Sequence, residues 1–184
     1  MAFERVKRWF RPDPVREAGA ALYTDCVRAA RAPALYADLG VPDTQEGRLD
    51  LLMLHVFLVT RRLRGEDGPL GQAVFDAMTR DLDDTYREEG YGDAKVARYV
   101  RTAAEQFYGR GQAYERALTE GDDAALADAL ARNAYADEGA DAKGLAAYAR
   151  RAAESLDADA LRAGRAAFPA LDDTEDMEGS DAAA

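Results

Sequence analysis

One cysteine and one histidine are all that 184 residues offer. Cys26 alone cannot close an intramolecular disulfide, and with His55 as the single histidine the chain cannot assemble a Cys/His zinc site. A reducing, cytoplasmic setting suits such a composition. Apolar runs are short as well. The longest, residues 51–59, is interrupted by His55 and falls far short of the roughly 20 residues a spanning helix needs. The N-terminus carries positive charge but no apolar run of signal length follows it. Positive charge is scarce overall: the formal net charge is -11, which argues against nucleic-acid binding, because phosphate neutralisation needs clustered cations. Alternating apolar and polar runs, the mark of half-buried strands, are missing throughout. The two GxG pairs, Gly90/Gly92 and Gly109/Gly111, follow helix-patterned segments rather than strands, so neither reads as a phosphate loop.

What is present is helical periodicity. Length predicts one domain with a substantial core, and the pattern predicts an all-α bundle of about six or seven helices. Residues 1–14 form a basic-aromatic segment, 15–168 the helical domain, and 169–184 an acidic tail without periodicity, expected to be disordered. A helix over residues 44–64 is apolar nearly all round from Leu49 to Val59, which marks it as the central element. Asp43 and Glu46 have capping-box spacing at its start. A helical hairpin over 69–119 flanks it. Phe75, Met78, Leu82 and Tyr86 recur at three- and four-residue steps on the first arm, and Val96, Tyr99, Val100, Ala103, Phe107, Tyr114 and Leu118 on the second. Gly90 ends the first arm and Asp93 is placed to cap the second. Leu52, Val56, Val59, Phe75, Met78, Leu82, Val100 and Phe107 are the expected core. Gly109 and Gly111 lie inside a helix, where each costs about 1 kcal/mol relative to alanine, so a kink or a close helix contact is expected there. Val15, Ala18, Leu22 and Cys26 mark the inner face of the first helix, with Cys26 as a small core residue.

Candidate functional residues divide into three groups. Arg61, Arg62 and Arg64 crowd one helix end, and Arg98, Arg101 and Arg110 lie on the second hairpin arm. That is more charge than a helix dipole calls for, and it predicts a basic partner-binding face that Asp81 and Tyr108 join. The competing reading is that these arginines pair with surrounding carboxylates in surface networks. Asp81 sits at the edge of the apolar stripe, where a half-buried carboxylate wants an arginine; Arg110 and Arg48 are the candidates. At the N-terminus, Phe3, Trp9 and Phe10 interleave with Arg5, Lys7 and Arg8. Such a segment can contact an anionic membrane surface or simply pack its aromatics on the domain. No catalytic, metal-binding or cofactor set stands out. Asp81, Asp83 and Asp84 as acid, base or metal ligands rank last, since Asp83 and Asp84 fall on the solvated face. An apolar cofactor, haem or quinone, enclosed around His55 and Tyr108 is the alternative to a binding role.

The order of motifs resembles the ubiquinol-cytochrome c chaperone family from about Leu22 to Phe168. The residues that carry the likeness are LGVPDT with Gly47-Arg48, Leu54-His55, Arg62-Leu63-Arg64-Gly65, Phe75-Asp76, Asp81-x-Asp83, Arg87-Glu88-x-Gly90-x-Gly92-Asp93 and Phe107-Tyr108-Gly109-Arg110. Tyr86, Glu89, Tyr91 and Tyr99 depart from the family pattern, which thins any shared basic surface. The resemblance implies a non-catalytic assembly factor that engages cytochrome b early in the biogenesis of ubiquinol-cytochrome c reductase. It also implies a small partner protein, while the basic-aromatic N-terminus points to a peripheral position on the cytoplasmic face of the inner membrane.

Overall fold

Aspartates cap four of the helix starts. The computed structural model describes residues 13–137 and 139–171, and in it Asp13, Asp67, Asp122 and Asp157 each accept a backbone N–H from the first turn of the helix they precede. These bonds satisfy donors that a helix otherwise leaves orphaned. Eight helices result among the described residues: α1 (Pro14–Ala30), α2 (Pro33–Ala37), α3 (Gln45–Leu63), α4 (Gly68–Glu88), α5 (Asp93–Glu120), α6 (Asp123–Ala134), α7 (Lys143–Ser155) and α8 (Ala158–Arg162). The all-α expectation holds. The count exceeds six or seven because α2 and α8 are five-residue turns.

The expected central helix is central. Every residue of α3 from Met53 to Val59 is buried, His55 included, and α1, α4, α5, α6, α7 and α8 all pack on it. An element surrounded on all sides has no need of a polar face, which is why its apolar residues do not keep to one stripe. Two caps differ from the sequence expectation. Thr44, not Asp43, is the N-cap of α3, its hydroxyl accepting the Gly47 N–H at 3.1 Å. The Asp43 carboxylate instead takes both Arg48 donors, at 2.5 and 3.1 Å. At the hairpin turn Gly90 has φ +85° as expected, but Gly92 is the N-cap of α5 and Asp93 lies in the first turn, paired with Arg87.

Of the expected core, Val56, Val59, Met78, Leu82 and Phe107 are buried. Leu52, Phe75 and Val100 are half-buried against the same cluster. Cys26 is fully buried, and burial pushes its thiol well above the usual range. Val15, by contrast, is exposed. The close contact lies at Gly111, where an added Cβ would meet the Phe57 ring at 3.2 Å, whereas Gly109 has nothing within 4 Å. Leu171 packs on the core, three residues beyond the expected boundary at 168.

Candidate functional site: an apolar groove between α3, α4 and α5

Three helices diverge where α3 ends and α4 begins, and the gap between them is an open groove of about 710 Å³. Its floor is Phe57, Leu63, Phe75 and Phe107. Glycines at 68, 71 and 111 keep the walls low. Tyr108 stands on the rim with 56% of its surface exposed, its ring 5.3 Å from that of Phe75. An exposed aromatic over an apolar floor is the kind of surface a soluble protein usually covers with a partner.

The groove collects some of the residues singled out from sequence and not others. Arg64 lines it and Tyr108 rims it. Arg61 stands at its edge, because Glu115 of α5 accepts Arg61 Nε at 3.1 Å and Arg64 Nη1 at 2.7 Å. One carboxylate thus binds two arginines and ties α3 to α5. Arg62 turns toward α8 instead, donating to the Leu156 carbonyl at 3.0 Å and to Glu66 at 2.6 Å, and Arg162 completes that cluster. The three helix-end arginines are therefore in carboxylate networks. Arg110 does not line the groove; it pairs with Asp50 and touches Met53 Sδ. Arg98 and Arg101 are exposed on α5 and do not line the groove.

Asp81 differs most from expectation. It is exposed and forms no ion pair among the described residues; both proposed partners are engaged elsewhere, Arg110 by Asp50 and Arg48 by Asp43. Its partner is the Tyr23 hydroxyl, which donates to Oδ2 at 2.6 Å and joins α1 to α4. Burial and the adjacent carboxylate raise the Tyr23 phenol. Nothing in an 81–84 sequence window shows that a tyrosine 58 positions earlier would occupy this site.

His55 and Tyr108 do not share a pocket. His55 is fully buried between α3 and α7. The Leu51 carbonyl, 2.7 Å from Nδ1, can only accept, so Nδ1 carries the proton and Nε2 accepts from the Tyr148 hydroxyl at 2.7 Å. Phe168 closes the ring edge-on at 4.8 Å. Neither nitrogen is free for an axial bond to haem, and burial holds the imidazole down at about 4. Among the described residues no three His, Cys, Asp or Glu side chains gather as a metal site. No described helix is long and apolar enough to cross a membrane. Phe3, Arg5, Lys7, Arg8, Trp9 and Phe10 lie outside the described residues.

The described residues form an all-helical fold that carries an open groove with an exposed aromatic at its rim. The chain belongs to the ubiquinol-cytochrome C chaperone family, whose sequence profile matches residues 37–168. It is similar to the crystal structure of the Cbp3 homologue from Brucella abortus, with 35% identity over 94% of this chain and 98% of that one and a TM-score of 0.77. A comparison with curated proteins gave no match. Three motif runs that carry the family resemblance, around residues 62–65, 75–76 and 107–110, converge on the groove through Leu63, Arg64, Phe75, Phe107 and Tyr108.

Proposed function

We propose that this chaperone is a non-catalytic assembly factor that holds cytochrome b, or an early intermediate containing it, during biogenesis of ubiquinol-cytochrome c reductase, and that the client docks in the α3/α4/α5 groove. Family membership supports the assembly role. The exposure of Tyr108 over an apolar floor supports the location. The groove offers a client aromatic and aliphatic contact, with a rim whose Arg61 and Arg64 charges are already balanced by Glu115. Such a rim suits an apolar client segment rather than an acidic one. Arg98 and Arg101, exposed further along α5, supply a peripheral contact to client loops or to the cytoplasmic membrane surface. A small partner protein would have room on the faces away from the groove.

Tyr108→Asp tests the location, because a charge on an exposed side chain leaves the core intact while it spoils the groove. Recovery of cytochrome b in a pull-down should fall at least several-fold, with the melting temperature within about 2 °C of wild type. Reversing Arg62 and Arg64 would be a poorer probe, since each change sets a glutamate beside Glu66 or Glu115. Reversing exposed Arg98 and Arg101 reads the basic contribution cleanly, and a smaller loss is expected. Wild-type recovery by Tyr108→Asp would place the client elsewhere.

A further inference from the structure

Arg61 and Arg64 stand three positions apart at the C-terminal end of α3, so they share one face of the helix and repel each other there. Glu115 of α5 meets both. Its Oε2 accepts Arg64 Nη1 at 2.7 Å, while its Oε1 accepts Arg61 Nε at 3.1 Å and the Thr119 hydroxyl at 3.1 Å. Three donors thus converge on one carboxylate, which lines the groove together with Arg64 and Thr119. Charge-assisted bonds of this kind hold a guanidinium more firmly than neutral ones do.

The groove carries few other charges. Arg116 and Glu120 also line it, both exposed and four positions apart on α5, and they contribute one charge of each sign. The remaining lining residues are uncharged. With Arg61 at the edge, two arginines and one glutamate therefore leave a single net positive charge at the groove. Were the Glu115 charge removed, two guanidiniums would stand beside an aromatic floor with no carboxylate to hold them. That arrangement recognises an apolar guest bearing a carboxylate, sulfonate or phosphate. With Glu115 ionised, the donors such a guest needs are already taken, and its anion would lie beside a carboxylate.

We infer that Glu115 sets the specificity of the groove: it keeps Arg61 and Arg64 occupied, so that the groove accepts an uncharged apolar segment and rejects an apolar one that carries an anionic group. Glu115 is on this account a positioning residue, acting through the two arginines. The inference rests on the groove being the docking site and adds the residue that selects the guest. Its readout uses small dyes rather than the client, so its failure is distinguishable from failure of the cytochrome b reading.

Two aromatic dyes make the test, neutral Nile red and anionic anilinonaphthalene sulfonate, each titrated into the full-length protein with fluorescence as the signal. Glu115→Gln should tighten binding of the sulfonate several-fold and move Nile red by less than about two-fold. Adding Arg64→Gln restores the single net charge and should return the sulfonate to its wild-type affinity. Asp128→Asn, the same change of net charge at an exposed position of α6, should leave both dyes as they were. Sulfonate binding equal in wild type and Glu115→Gln, with helical circular dichroism intact, would overturn the inference. So would a gain shared by both dyes, which would mean a widened groove rather than a change of charge. A gain that survives Arg64→Gln, or that Asp128→Asn reproduces, would place the extra dye outside the groove and overturn it too. Should Glu115→Gln lose its helical signal, Arg64→Gln alone reads the same claim with the opposite sign: the sulfonate should bind several-fold more weakly than to wild type, and unchanged binding would overturn the inference.

Discussion

Asp50 and His55 lie five positions apart on α3, and acid moves their contributions to stability in opposite directions. His55 titrates at about 4 in the fold because burial disfavours its charged form, against about 6.5 in an unfolded chain. As pH falls the unfolded chain takes the proton first, so stability is lost between about 6.5 and about 4, by about 3 kcal/mol in total. Asp50 is the reverse case. Burial outweighs the Arg110 guanidinium and raises its carboxyl to about 6, against about 3.9 unfolded. The folded state then takes the proton first, and stability is gained between about 6 and about 4 by a similar amount. The two terms largely cancel in the wild type. Asp50→Asn removes the compensating gain, so its melting temperature should drop more steeply than wild type's as pH is lowered from about 6.5 to about 4.5. Parallel curves would show that Asp50 stays ionised in the folded protein. That His55 has no second histidine with which to share a metal was legible in the sequence. Tyr148, the partner 93 positions away, was not, because a helical pattern fixes faces and not which faces meet.

At the scale of elements, glycines separate packing from propensity. An added Cβ at Gly19 would lie 2.6 Å from Ala73 Cβ and 2.8 Å from its carbonyl carbon, a clash with helix α4 that no side-chain rotation relieves. Gly19→Ala should therefore push α1 off α4 and cost about 1 to 3 kcal/mol, or more if α1 cannot shift. Gly109→Ala meets nothing within 4 Å and gains helix propensity, so it should stabilise by up to about 1 kcal/mol. Urea denaturation of both variants checks the pair; equal effects of one sign would refute the distinction. The same contrast shows how far sequence reading reached. All-round apolarity identified α3, and three- and four-residue spacing identified both hairpin arms. The α3 cap was missed by one position because Asp43 and Thr44 are both good acceptors, and only the fold shows Arg48 drawing the aspartate away. Gly19 carried no signal, since its reason is a contact with a residue 54 positions later.

Across the whole molecule, the arginine excess at 61–64 was visible in the sequence, but its destination was not. Glu115 and Glu66 reach these arginines from α5 and from the α3–α4 connection, so the three side chains also tie helices together. The surface left for a partner is the apolar opening those ties frame. Family membership makes this chain a chaperone, and the exposed ring of Tyr108 is where its own fold leaves a contact unmade. The central claim is that the α3/α4/α5 groove holds cytochrome b. Site-specific photo-crosslinking tests it most directly: a benzophenone side chain at position 108, in cells assembling ubiquinol-cytochrome c reductase, compared with the same group at exposed Asp128 on α6. The account predicts a cytochrome b adduct from position 108 and little or none from 128. Adducts of equal strength from both positions, or from 128 alone, would contradict it.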